Sequence, residues 1–133
     1  MATVEREKDF NVGTAAMWDV IGDFARIDKW AAVDNVDISD GGKTRTITMG
    51  GSKIVERLVE EGDLTQSYAL DDGGALPVTG YRSTITVTGG DDTCTVHWSG
   101  TFEPAEGTTE DLACQIVGMV YDGGLAGMEK AVS

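Results

Sequence analysis

The chain has 133 residues, 41% of them hydrophobic, which suits one domain over 1–133 with a substantial core and leaves little room for a second. Its 23 acidic and 10 basic residues give a net charge of −13, a surface that repels phosphate backbones and anionic lipid, so no nucleic-acid partner is expected. One histidine, two cysteines in unlike contexts and no apolar run of about 18 residues exclude a multi-histidine metal site, a disulfide framework and a membrane span.

The opening MATVEREKDF is charged and has no apolar h-region, so no secretory signal is expected and the protein reads as reduced and cytoplasmic. Residues 3–10 form a candidate first strand. Thr14 to Ile21 follows with Ala15, Trp18 and Ile21 at helical spacing. Gly22 and Asp23 interrupt it, and a second short helix is predicted from Phe24 to Ala31, presenting Phe24, Ile27 and Trp30.

From Val36 to Glu103 the pattern changes to strands and tight turns: 36–38, 44–49, 53–60, 65–70, 81–88 and 94–103. Gly41-Gly42, Gly50-Gly51, Gly73-Gly74 and Gly89-Gly90 fall between them. Tyr81, Ser83, Ile85 and Val87 share one face of their strand. Cys94, Val96, Trp98, Gly100 and Phe102 share one face of the next, with His97 on the opposite, polar face.

Pro104 ends the sheet, and Thr108 to Asp111 reads as a capping box for a helix from about Thr109 to Lys130. Ala113, Ile116, Val117, Val120, Gly124, Gly127 and Met128 form its apolar or small face. Gly123 and Gly127, four apart, are expected to let that helix lie close on the sheet. A one-faced antiparallel sheet must be covered, and the helices are the only elements available to cover it.

The order β-α-α-β(6)-α resembles the helix-grip fold of the START-like, birch-pollen-allergen-like (SRPBCC) superfamily, an α+β fold. Trp18-Asp19-Val20-Ile21-Gly22-Asp23-Phe24 with Trp30 resembles its VWxxIxDFxxxxxW opening. Ile54-Val55-Glu56-Arg57-Leu58 resembles its ERL strand, Tyr81-Arg82-Ser83 its YRS strand, and Thr95-Val96-His97-Trp98 to Pro104 its last strand. Within that superfamily the chain most resembles the bacterial polyketide cyclase/dehydrase-like proteins, and the plant abscisic-acid receptors have a similar ERL and YRS pattern. The resemblance implies a curved sheet wrapped around the terminal helix, with a cavity for a small hydrophobic or amphipathic ligand between them.

Within that expectation Glu56 is the most pointed residue. If Ile54 and Leu58 face inward, Glu56 does too, as a carboxylate in apolar surroundings; if Val55, Arg57 and Val59 face inward, Glu56 is solvated. The family also places a ligand-contacting glutamate here. Tyr81 and Ser83 could fix a ligand carbonyl or phenol, or Tyr81 could be a core tyrosine with its hydroxyl in water. Ile54, Leu58, Tyr68, Ile85, Val96, Trp98 and Phe102 are candidate cavity walls. The family's helix turns its first half to the cavity, which adds Ile116, Val117, Val120 and Tyr121.

Three functions follow. One is binding of a polyketide-like, aromatic or lipid ligand. Another is a cyclase, dehydratase or isomerase with Glu56 as general acid or base and Tyr81 as carbonyl polariser. The third is an acidic interaction or chaperone-like protein. No phosphate-cradling glycine motif and no metal-ligand spacing is present, so no cofactor or metal is expected. A monomer and a homodimer are both compatible with the sequence.

Overall fold

The computed structural model describes residues 1–133. Its elements are β1 (Ala2–Phe10), α1 (Thr14–Ile21), a 3₁₀ segment (Phe24–Lys29), β2 (Asn35–Ser39), β3 (Thr44–Met49), β4 (Ser52–Gly62), β5 (Thr65–Asp72), β6 (Val78–Gly89), β7 (Cys94–Pro104) and α2 (Glu110–Val132). The strands form one antiparallel seven-stranded sheet in the order β1-β7-β6-β5-β4-β3-β2. The first strand therefore joins the last, while the rest make a meander. Register shifts in β4 at Val55/Glu56 and Leu58/Glu60, and between β6 and β7 at Thr79/Arg82, add the local twist that curves the sheet.

The curved face is filled as the alternation predicts. Tyr81, Ser83, Ile85 and Val87 of β6 are buried, and so are Cys94, Val96, Trp98 and Phe102 of β7. Helix α2 lies in the grip of the sheet and buries Ala113, Val117, Gly118, Tyr121, Leu125 and Met128. Helix α1 adds Met17 and Ile21 to the same core. Strand β1 holds the outer side of α2 with two ion pairs, Arg6 Nε to Asp122 Oδ1 at 2.9 Å and Lys8 Nζ to Glu129 Oε2 at 2.8 Å.

Several expectations shift in detail. The second helix is a 3₁₀ segment that ends at Lys29 and is kinked inside at Arg26, whose backbone is not helical (φ −117°, ψ 44°). Asp23 caps it, accepting from the Ala25 N–H at 3.1 Å. The cap of α2 is Thr109, not Thr108: its side chain accepts from the Leu112 N–H at 3.2 Å, and the helix runs on to Val132. The close approach of α2 uses Gly124 and Gly127, not Gly123 and Gly127. A Cβ at 124 would lie 2.5 Å from the Trp98 ring, and one at 127 would overlap the Trp30 carbonyl. The partner is thus the Trp30 turn as well as the sheet, and that turn is held down over the sheet edge. No helix is long and apolar enough to cross a membrane.

Candidate functional site

A recess of about 260 Å³ opens between α2, the Trp30 turn and the β3–β4 side of the sheet. Ile27, Trp30, Ala31, Ala32 and Val33 form one rim; Met119, Val120, Gly123 and Gly124 of α2 form another. Ile47, Met49, Glu56, Tyr68 and Trp98 complete the wall from the sheet. A smaller void of about 40 Å³, lined also by Leu70, Leu76, Tyr81 and Val117, shares Glu56, Tyr68 and Val120 with it. Glu56 and Tyr68 thus stand where the two spaces meet.

Glu56 faces inward with Ile54 and Leu58, and its side chain is almost wholly buried. Strands β3 and β4 pair Arg45 with Glu56, and Arg45 Nε donates to Glu56 Oε1 at 2.7 Å. Arg45 is only 1% exposed. Its Nη1 donates to the Phe24 carbonyl at 2.9 Å, and its guanidinium lies 3.9 Å over the Phe24 ring and 5.0 Å from the Tyr68 ring. A buried carboxylate needs such a partner, and the two aromatic faces hold the cation where water cannot reach it. Of the carboxylate, Oε1 alone is engaged by the protein; Oε2 is left to the recess.

Behind this pair lies a second polar cluster. Trp98 Nε1 donates to Ser83 Oγ at 2.8 Å, and Ser83 Oγ donates its single proton to the Ser99 carbonyl at 3.0 Å. The Tyr121 hydroxyl, 3.0 Å from Ser83 Oγ, must then be the donor of that bond. Its oxygen accepts from the remaining hydroxyl, that of Tyr81. The direction of the chain is fixed from Tyr81 to Tyr121 to Ser83 to the backbone. Gly100 makes room for it, since a Cβ there would overlap the Tyr121 hydroxyl. The Trp98 and Tyr121 rings stack at 4.2 Å.

Burial raises all three tyrosines above their usual phenol range, Tyr81 most plainly through desolvation and the neighbouring Tyr68. Tyr68 is pushed up by desolvation and then by the Glu56 charge, and Tyr121 by desolvation against the bonds to Ser83 and Tyr81. The Tyr81 hydrogen goes to Tyr121, so it is not available to polarise a ligand carbonyl in this arrangement. Trp30 Nε1 is the single buried side-chain nitrogen or oxygen without a partner, on a residue of the recess wall.

Of the candidate residues, Glu56, Tyr68, Trp98 and Val120 line the main recess, and Tyr81 and Val117 the smaller void. Ser83 and Tyr121 are buried behind the wall in the hydroxyl chain. Ile85, Val96 and Phe102 are packed core and border neither space. Ile54, Leu58 and Ile116 are half-buried and also border neither, because the recess is displaced toward the Trp30 turn. The residues that periodicity missed are Arg45, Ile47, Met49, Met119 and the 31–33 loop. Arg45 did leave a signal: it alternates with Ile47 in Thr44-Arg45-Thr46-Ile47-Thr48, which puts it on the apolar side. No cluster of three His, Cys, Asp or Glu side chains suited to a metal is present.

The profile of a family described as polyketide cyclase/dehydrase and lipid transport matches residues 1–133. The chain belongs to this polyketide cyclase/dehydrase family. Its fold is similar to that of XoxI from Bacillus cereus at 29% identity, with 99% of this chain and 96% of that one covered and a TM-score of 0.92. It is also similar to a START superfamily protein from Mycobacterium smegmatis (11% identity, 98% and 96% covered, TM-score 0.81). A third likeness is to the di-domain ARO/CYC protein BexL of the BE-7585A biosynthetic pathway (14% identity, TM-score 0.83), where 99% of this chain covers 46% of that one. The last two show the fold alone, the START-like helix grip. No curated protein matches the chain. In this family member, then, the space between grip and helix is an apolar recess with one ion-paired carboxylate at its floor.

Proposed function

We propose that the protein binds a small, uncharged, largely apolar molecule in this recess, with a hydroxyl group of the ligand donating to Glu56. The observation that carries the reading is the floor of the recess: a buried carboxylate, neutralised by Arg45, with Oε2 unengaged and apolar walls around it. Because the pair is already neutral overall, a charged ligand would find no counter-ion and would lose its hydration, whereas a neutral hydroxyl gains a charge-assisted bond. The partnerless Trp30 indole N–H is a second unmet hydrogen-bonding group beside the recess. The family's description and the START likeness support binding of this kind.

A second reading, a cyclase, dehydratase or isomerase acting on a polyketide-like compound, is supported by the ARO/CYC likeness and by Glu56 as the one carboxylate of the recess. It is weakened at Tyr81, whose hydrogen is committed to Tyr121.

The test compares 2-naphthol with naphthalene, two flat neutral molecules that differ by one hydroxyl. We expect 2-naphthol to bind about tenfold more tightly in a fluorescence titration, as a bond to a charged group predicts. Glu56→Gln, which keeps an oxygen for Arg45 but loses the charge, should narrow that preference. If neither compound binds, the ligand-binding reading is lost.

A further inference from the structure

Of the three tyrosines, Tyr68 alone stands outside the hydroxyl chain. Its cross-strand neighbour in β6 is Ser83, whose oxygen is already full: it accepts from Trp98 and Tyr121 and gives its hydrogen to the Ser99 carbonyl. The Tyr68 hydroxyl makes no hydrogen bond to any other group of the protein, although the residue is only 3% exposed. Nor is that hydroxyl sealed in, because Trp30 Nε1 alone is both shut off from water and without a partner. It therefore opens onto one of the two spaces that Tyr68 lines, the recess and the smaller void, and Glu56 lines both as well. The ring that carries it is held in place. It packs against the Phe24 and Tyr81 rings, with centroids 6.4 and 6.3 Å away, and the Arg45 guanidinium lies 5.0 Å from it.

We propose that the Tyr68 hydroxyl is the second polar anchor of the ligand, donating to the same ligand oxygen that gives its hydrogen to Glu56. This rests on the binding reading and narrows its ligand class. Glu56 Oε1 is taken by Arg45, so Oε2 is an acceptor only, while Tyr68 has a hydrogen and no acceptor for it in the protein. Desolvation and then the Glu56 charge hold that phenol above its usual range, so the hydrogen is in place at neutral pH. A ligand hydroxyl satisfies both groups at once, with its hydrogen on Glu56 and a lone pair toward Tyr68. An aromatic amine supplies the hydrogen, but its lone pair is drawn into the ring. An ether or a ketone supplies only the lone pair. The pair therefore selects an alcohol, phenol or enol over an amine of the same shape.

The test titrates three neutral probes of one shape, 2-naphthol, 2-naphthylamine and naphthalene, into the wild type and Tyr68→Phe, which removes the hydroxyl and nothing else. The wild type should favour 2-naphthol over 2-naphthylamine. Tyr68→Phe should weaken 2-naphthol about fivefold, as the loss of one hydrogen bond predicts, and so close most of that gap. Naphthalene and 2-naphthylamine should change less than about twofold. The melting temperature should stay close to wild type, since no bond within the protein is lost. An equal loss of all three probes overturns the proposal, because it would make Tyr68 a matter of shape alone. Equal affinity of the wild type for 2-naphthol and 2-naphthylamine also overturns it. So does 2-naphthol binding that is unchanged in Tyr68→Phe, and that result leaves the Glu56 reading standing. A wild type that binds none of the three removes both.

Discussion

The interior holds two polar clusters side by side, one closed and one open. In the hydroxyl chain of Tyr81, Tyr121, Ser83 and Trp98 each proton has an acceptor within the protein, ending on the Ser99 carbonyl. In the Arg45–Glu56 pair the cation is fully enclosed, but one carboxylate oxygen is left to the recess. A polar cluster that satisfies itself fixes the packing of the elements that carry it: here it ties α2 to β6 and β7. On the proposed reading, a cluster with a spare acceptor in an apolar space is where a ligand's polar atom belongs. Glu56 and Tyr81, which the sequence presents as a pair, therefore fall in different clusters.

The two clusters differ most sharply at Arg45. Arg45→Met leaves Glu56 buried without its counter-charge and should lower unfolding stability by about 3–5 kcal/mol in urea, whereas Arg45→Met with Glu56→Met should recover most of it. A single variant as stable as wild type would mean that Glu56 is solvated after all. The closed cluster has its own alkaline signature. The tyrosines titrate near 10 when unfolded and higher when folded, so their contribution is intact below pH 10 and declines above it as the unfolded chain ionises. Stability should fall by about 1.4 kcal/mol per pH unit for each tyrosine held neutral, seen as a urea midpoint that drops between pH 9.5 and 11.5. Tyr121→Phe takes the acceptor from Tyr81 and the donor from Ser83, and should cost about 1–3 kcal/mol without altering 2-naphthol affinity by more than about twofold. A large loss of affinity there would join the two clusters into one site. The smallest effect is expected at the rim, where Gly123→Ala should raise stability by about 1 kcal/mol.

How much of this was legible depended on whether a signal was local. The inward face of β6 and β7 could be read from strict alternation, and the overall element order followed from it together with the Trp18 to Trp30 pattern. The parity of Glu56 was left open because Val55, Arg57 and Val59 form an equally periodic set; only the partner strand decides between them. Arg45 and Glu56 are 11 residues apart and meet through register, which no single-strand pattern carries. The same applies to the helix glycines: the four-residue spacing pointed to Gly123 and Gly127, but Gly124 takes the place of Gly123, because the Trp30 turn that the helix meets lies almost a hundred residues earlier. Ile85, Val96 and Phe102 were indistinguishable from cavity wall because wall and core share one composition, and the difference between them is whatever stands opposite.

Strand β1 has a consequence for how the protein comes into being. It forms its ladder with β7 over nine residue pairs, from Ala2 with Phe102 to Phe10 with Cys94. On the ribosome the strand emerges before the rest of its sheet, and its only partner follows on the order of ninety residues later. Until then it is a strand with both edges free, the kind of segment that joins other chains. Its sequence is suited to the wait: Glu5, Arg6, Glu7, Lys8 and Asp9 put a charge at five successive positions, and two of these, Arg6 and Lys8, later become the ion pairs that hold α2. The same side chains thus charge the nascent strand and pair with α2 in the finished fold, and the sheet is completed by a strand made before all its others.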